Sequence, residues 1–246
     1  MTNAKNSVAI ITGASRGIGA AIAIKLAKDG FSIVVNYTRN VEAAAEIVSA
    51  IEQSGGKAIA VKGDVSQPEE VTALFDATET AFGGVDVLIN NAGIMKLGPI
   101  ASYDDTAFDQ MVSINLKGTF NGIREAAKRL RDGGRIINFS TSVVGLYQPN
   151  YAAYAATKAG VEALTHIAAK ELGSRKITVN AIAPGPVATE LFLEGKDEAQ
   201  LDRIRGMNPL GRLGEVEDIA CAVSLLTSAD SGWINGQIIR VNGGVV

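Results

Sequence analysis

The chain has almost nothing with which to cross-link itself or to anchor in a membrane. Among its 246 residues there is one cysteine, Cys221, so an intrachain disulfide is impossible and a reducing compartment is expected. No apolar run is long enough to span a bilayer, and the opening Met1-Thr2-Asn3-Ala4-Lys5-Asn6 lacks the apolar stretch of a signal peptide. These absences point to a cytoplasmic protein with no membrane partner. Charge of one sign is missing too: 23 basic residues face 26 acidic ones, a net charge of −3, which argues against a nucleic-acid partner. The densest basic stretch, Arg124 to Arg135, is interrupted by Glu125, Asp132 and alanines and reads as a solvated helix face. No proline- or serine-rich linker divides the chain, and its 27 glycines are scattered rather than repeated. One domain over residues 1–246 is expected.

What is present is a regular alternation. With 47% hydrophobic residues a sizeable core can form. Short β-branched runs at Val8-Ile11, Ile33-Val35, Ala58-Val61, Val85-Ile89, Arg135-Phe139, Ile177-Ile182 and Ile238-Val241 read as strands buried on both faces. Between them lie stripes of helical period: Ile18, Ile22, Leu26; Val71, Leu74, Phe75, Thr78, Phe82; Val161, Leu164, Ala168, Leu172. The pattern predicts an α/β fold of Rossmann type, a doubly wound parallel sheet with helices on both faces. The rhythm is delayed at about 187–208, after Pro184-Gly185-Pro186. An insertion there lies above the carboxyl ends of the strands, and a substrate-covering segment is expected, with an inert surface helix as the alternative.

After the first strand comes Thr12-Gly13-Ala14-Ser15-Arg16-Gly17-Ile18-Gly19. Glycines there permit a tight turn and close approach to a pyrophosphate, and a helix starting near Gly17 points its N–H groups at the phosphates. The same letters, Gly13-Ala14-Ser15-Arg16-Gly17, fit a hydrolase nucleophile elbow. That reading needs a histidine base. The single histidine, His166, sits in a long helical stretch, and a serine hydrolase is therefore the weaker alternative.

At this point the sequence resembles the short-chain dehydrogenases/reductases, nearest to the bacterial β-ketoacyl-carrier-protein reductases. The resemblance is carried by Thr12-Gly13-x-x-x-Gly17-x-Gly19, Asp64-Val65, Asn90-Asn91-Ala92-Gly93, Asn115, Ser142, Tyr154-x-x-x-Lys158 and Pro184-Gly185, in order along nearly the whole chain. It implies hydride transfer between a nicotinamide and a carbonyl or secondary alcohol. It implies a catalytic set of Asn115, Ser142, Tyr154 and Lys158. A cofactor site is implied at Gly13, Ser15, Arg16, Gly17, Ile18, Gly19, Asp64, Val65, Asn91, Ala92, Gly93, Tyr154, Lys158, Pro184, Gly185, Val187 and Thr189, with no metal. Asp64 and Val65 meet the adenine in this scheme, and Asn115 kinks its helix and holds a relay water. A homotetramer is also implied, built on residues 105–131, 151–172 and 232–246.

The chemistry suits these residues. A phenol of ordinary pKa about 10 can give a proton to a ketone oxygen, and Lys158, four residues on, shares its helical face and favours the phenolate. Ser142, rather than the neighbouring Ser140 or Thr141, is expected to orient the substrate oxygen. It precedes Val143-Val144-Gly145, and alternation puts Thr141 on the opposite side. The second strand ends in Asn36-Tyr37-Thr38-Arg39, without the acidic residue that binds a ribose 2′-hydroxyl. Asn36 and Arg39, with Arg16, suit a 2′-phosphate, so NADP(H) is expected over NAD(H). The substrate is expected to face 94–96, 144–150 and 187–193, and a carrier protein would need Arg124, Lys128, Arg129 and Arg131 as a basic dock. A dinucleotide sensor without turnover is the remaining alternative.

Overall fold

The computed structural model describes residues 7–246. The polar opening lies outside them. The elements run β1 (Val8–Ile11), α1 (Gly17–Lys28), β2 (Ser32–Tyr37), α2 (Val41–Gln53), β3 (Lys57–Lys62), α3 (Pro68–Phe82), β4 (Val85–Asn90), α4 (Asp105–Met111), a π-helical stretch (Val112–Lys117), α5 (Gly118–Arg129), β5 (Leu130–Phe139), α6 (Val143–Leu146), α7 (Ala152–Glu171), β6 (Thr178–Pro184), α8 (Glu190–Leu193), α9 (Glu198–Met207), α10 (Val216–Thr227) and β7 (Ile238–Val241). Seven parallel strands form one sheet in the order β3-β2-β1-β4-β5-β6-β7. The chain winds outward from β1 to one edge, returns to β4 beside β1, and winds to the other edge. The carboxyl ends of β1 and β4 therefore flank a crevice where the winding direction reverses.

Alternation along the strands divides the core. Ala9, Ile11, Ile33 and Val35 pack with Ile22 and Leu26 of α1 and Val223 of α10 on one face. Ile10, Val34 and Leu88 pack with Phe75 of α3, Ile123 of α5 and Ala168 of α7 on the other. Each large side chain buried in this way stabilises the fold by about 1.5–3 kcal/mol. The expected helical stripes are the buried ones: Val71, Leu74, Phe75 and Thr78 face the sheet in α3.

Three expectations need correction. The edge strands are not buried on both faces: β3 shows alternate exposure, and β7 is half-buried with Arg240 exposed, because an edge has a neighbour on one side only. β5 starts at Leu130, earlier than Arg135, and its pairing with β4 is irregular between Val85 and Val87. Consequently the basic stretch is not one helix face. Arg124, Lys128 and Arg129 end α5, while Arg131 and Arg135 lie in the strand. Arg129 pairs with Asp76 and Glu79, Arg131 with Asp86, and Lys128 with Glu125. Arg124 lies over the Phe120 ring.

Candidate active site

The glycine turn leaves β1 at Thr12, whose hydroxyl is buried and accepts the N–H groups of Asn91 and Ala92, each at 3.0 Å. Asn91 returns the tie, donating its Nδ2 to the Thr12 and Gly13 carbonyls at 2.8 and 3.1 Å. The loops after β1 and β4 are thus one braced unit. Gly13 and Gly17 adopt φ of +64° and +54°, and a Cβ on Gly19 would lie 2.5 Å from the Gly13 oxygen. Only glycine tolerates both conditions. At the start of α1 the capping residue Arg16 contributes no side-chain bond to the helix end, and the first turn holds no acidic residue. Those N–H groups with the positive helix end suit an anionic group, so the residues fit the pyrophosphate of a dinucleotide. Ser15 and half-buried Ile18 flank the same turn.

Asn36 sits differently from the expectation. It is 1% exposed, accepts the Gly13 N–H at 3.2 Å, and donates to the Val61 and Gly63 carbonyls. Its side chain is fully used as a brace beneath the turn, so the 2′-phosphate role expected of it falls to other groups. Arg39 is exposed just past β2. Arg16 is exposed as well and pairs with Glu190 at 3.1 Å. Beyond β3, Asp64 accepts the Ser66 N–H, and Val65 is buried against Gly118. A Cβ on Gly93 would come within 3.3 Å of Asn115 Oδ1 and 3.6 Å of Lys158 Nζ. That close approach brings the loop after β4 to the inner end of α7.

Pro184 closes β6, and Gly185 donates its N–H to Val241 at 3.0 Å. Val187 bridges Gly214 and is buried. Thr189 caps α8, and its methyl would lie 3.7 Å from a Cβ on Gly17. The segment 187–208 therefore folds as α8 and α9 and reaches the glycine turn. A cavity of about 580 Å³ opens between them, lined by Arg16, Glu190, Leu191, Leu193 and Glu194.

Asn115 is wholly buried in the π-helical stretch, as a kink there requires. Its amide grips the Ile94 peptide at both ends, accepting its N–H at 2.8 Å and donating to its carbonyl at 2.9 Å. A third bond runs to Thr157 of α7. Tyr154 lies three residues before that contact and Lys158 directly after it, and four residues apart the two share one face of α7. Lys158 is 4% exposed, donates to the Phe139 carbonyl at 2.8 Å, and lies 5.9 Å from the centre of the Tyr154 ring.

The electrostatics reverse one expectation. Burial pushes the Lys158 ammonium down to about 8. Burial also pushes the Tyr154 phenol up to about 12; its hydrogen bond with Thr141 pulls the other way, and neighbouring Tyr151 adds to the rise. In the chain alone the lysine therefore does not lower the tyrosine. Two groups of opposite charge type, taken from water together, each favour the neutral form.

The hydroxyls after β5 also differ from the expectation. Ser142 turns away from the tyrosine: it donates to the Ala183 carbonyl at 3.2 Å and accepts Asn242 Nδ2 at 2.9 Å. Ser140 donates to Glu162 at 2.6 Å. Thr141, also buried, accepts the Val143 N–H at 3.3 Å. His166 is on the exposed face of α7, remote from Ser15 by sequence and element, which removes the base a hydrolase elbow needs. Sequence reasoning missed Thr12, Thr157, Tyr151 and Asn242; Thr12 alone had a signal, its place in the turn motif.

Comparison with known proteins agrees with this geometry. A family model described as enoyl-(acyl carrier protein) reductase matches residues 13–246. A short-chain type dehydrogenase/reductase of Picea abies is 46% identical, over 97% of this chain and 92% of its own. An NADPH-dependent aldehyde reductase-like protein of Arabidopsis thaliana is 45% identical, over 97% and 94%. A 3-oxoacyl-acyl-carrier-protein reductase of Staphylococcus epidermidis is 40% identical, over 98% and 99%. The solved structure of a Serratia marcescens short-chain dehydrogenase/reductase superimposes with a TM-score of 0.94 at 34% identity, covering 99% of both chains.

Proposed function

We propose a specific reaction for this chain, which belongs to the short-chain dehydrogenase/reductase family and is a nicotinamide-dependent oxidoreductase: reversible reduction of a small carbonyl compound by NADPH, with Tyr154 as the general acid and base. The observation that carries the reading is the convergence of Tyr154, Lys158 and Asn115 where the loop after β4 meets the end of β5. A sensor of dinucleotide has no use for a half-buried phenol beside a buried ammonium. The cofactor, when bound, supplies the hydride and, once oxidised, a positive ring charge.

The chain's own residues do the rest. The glycine turn from Gly13 to Gly19, with Asn91, Ala92, Gly93 and the strand-end residues Asp64, Val65, Pro184, Gly185, Val187 and Thr189, holds the dinucleotide. Lys158 is tethered at Phe139 and faces Tyr154; as an ammonium it stabilises the phenolate left after proton donation. Tyr154 Oη gives its proton to the carbonyl oxygen as negative charge develops there. Asn115, gripping the Ile94 peptide, keeps the substrate-side loop and α7 in register and sits where a relay water would reach Lys158. Ser142 belongs to this set through the wall it builds at the end of β5.

Preference for NADP(H) rests on the basic side chains Arg16 and Arg39, on the missing acidic residue after β2, and on the naming of an Arabidopsis relative as NADPH-dependent. The covering segment 187–208, a homotetramer and a cytoplasmic location complete the proposal. Among the described residues no helix is long and apolar enough to cross a membrane. A first assay mixes the protein with NADPH or NADH and a panel of aldehydes and ketones. NADPH consumption with a kcat/KM at least tenfold above that of NADH is expected; consumption of NADH at equal efficiency contradicts the cofactor choice.

A further inference from the structure

We infer that Asn242, directly after β7, is a positioning residue for the reaction: it fastens the Ser142 hydroxyl, beyond the end of β5, to Asn208 at the exit of the segment 187–208. The inference rests on the reductase reading above and gives the last residues of the chain a part in the site. Its basis is the set of bonds that meet at Asn242. The side-chain Nδ2 donates to Ser142 Oγ at 2.9 Å and to the Val246 carbonyl at 3.1 Å, and Oδ1 accepts the Gly244 N–H at 3.0 Å. The peptide carbonyl of Asn242 accepts Asn208 Nδ2 at 3.0 Å. The local sequence makes this possible. Gly243 has φ of +66°, and a Cβ there would lie 2.4 Å from Asn208 Oδ1. Only glycine lets the chain double back so close to Asn208. The turn returns Gly244 and Val246 to the Asn242 amide.

Ser142 is held from two sides. A serine hydroxyl has one proton to give. That proton goes to the Ala183 carbonyl at 3.2 Å, the peptide N–H goes to the Pro184 carbonyl at 2.9 Å, and Asn242 Nδ2 fixes the oxygen from the other side. Ser142 is also the residue from which α6 starts. The same bonds therefore set where the wall after β5 begins.

The segment 187–208 is pinned at its neck by backbone alone: Gly214 donates to the Pro186 carbonyl and Ala188 to the Gly214 carbonyl, each at 2.9 Å. Past the neck little holds it. α8 buries no residue, α9 buries Leu201 alone, and the Arg16–Glu190 pair is exposed on both sides. Asn208, 8% exposed, ties the far end of α9 into the interior, and its Oδ1 accepts the Leu210 N–H at 2.9 Å. Release of Asn208 frees the segment; release of Asn242 frees the segment and Ser142 together. Asn242 touches no reacting atom in this scheme. Lys158 is tethered separately, at Phe139. Loss of Asn242 therefore loosens the hold on substrate and leaves the proton chemistry of Tyr154 and Lys158 in place.

The test compares Asn208→Ala, Asn242→Ala and the double variant. Asn208→Ala should raise KM for the ketone at least about fivefold, the worth of one net hydrogen bond, and Asn242→Ala by at least as much. The pH profile of kcat should keep its midpoints in both. In the double variant KM should rise no more than about twofold beyond that of Asn242→Ala, because the two act as one device. A second readout needs no turnover. Tryptic cleavage after Lys196 and Arg203 should be faster in each variant than in the parent, since local opening exposes the segment. A lowered melting temperature with the parent's KM and cleavage rate makes the bonds merely structural and overturns the inference. Losses that multiply in the double variant, or a shifted pH profile, overturn it as well. If Asn242→Ala does not fold, Asn208→Ala decides by its KM and its cleavage rate. A parent chain that binds NADPH and reduces no ketone overturns the reductase reading instead, and the cleavage rates still decide whether Asn242 holds the segment.

Discussion

At the scale of the residue, the site is a pair of neighbours whose proton affinities burial shifts in opposite directions. Lys158 is depressed to about 8 from 10.5. Between those values the unfolded chain holds a proton that the folded chain has released, so stability rises with pH across this window. The difference is on the order of 3 kcal/mol. Tyr154 is raised to about 12 from 10.0, so the folded chain keeps a proton that the unfolded chain loses, and stability falls with pH between those values. Lys158→Met should abolish turnover yet raise the melting temperature at pH 7, and should flatten the rise toward pH 10; calorimetry across pH checks both. A variant less stable than the parent at pH 7 would contradict the burial argument. The tyrosine–lysine spacing was legible in the sequence because four residues on a helix always share a face. The partners of Ser142 were not. They are Ala183 and Asn242, the latter a hundred positions along the chain.

At the scale of the element, the glycine turn and the segment above it act together. Nearly every strand was readable as a β-branched run, and β1 and β7 keep the expected bounds. The early start of β5 was hidden because Asp132-Gly133-Gly134 interrupts the pattern, and Asn36 as a brace was hidden because its partners lie in the turn after β1 and on β3. Gly19→Ala forces a methyl against the Gly13 oxygen and Asn91 Nδ2, at 2.5 and 2.6 Å. NADPH affinity should fall at least tenfold by fluorescence titration; unchanged affinity would place the cofactor elsewhere. The Arg16–Glu190 pair spans the turn and α8, with side chains 73% and 80% exposed. Such a pair contributes little to stability and exchanges readily. Glu190→Gln should therefore free Arg16 and tighten NADPH about two- to fivefold at low salt, with little effect on NADH. Equal tightening of both cofactors would remove Arg16 from 2′-phosphate recognition.

At the scale of the whole molecule, a doubly wound sheet sets the crevice, and apolar surface remains uncovered on the elements expected to assemble. Phe108 on α4, Phe120 on α5, Ile167 on α7 and Trp233 before β7 are 44%, 45%, 55% and 99% exposed. Faces of this kind suit closed symmetric contacts. Sedimentation should give four times the chain mass of 25.6 kDa, and Trp233→Glu should give a smaller species; a parent chain that sediments as a monomer contradicts the tetramer. The central claim is narrower: a hydride leaves the cofactor for a carbonyl carbon while Tyr154 protonates the oxygen. The most direct measurement uses NADPH deuterated at the transferring position, with a ketone from the panel that the protein reduces. Deuterium on the carbinol carbon with the parent chain, and none with folded, NADPH-binding Tyr154→Phe, is the result predicted. Deuterium transfer at the parent rate in that variant would contradict the account.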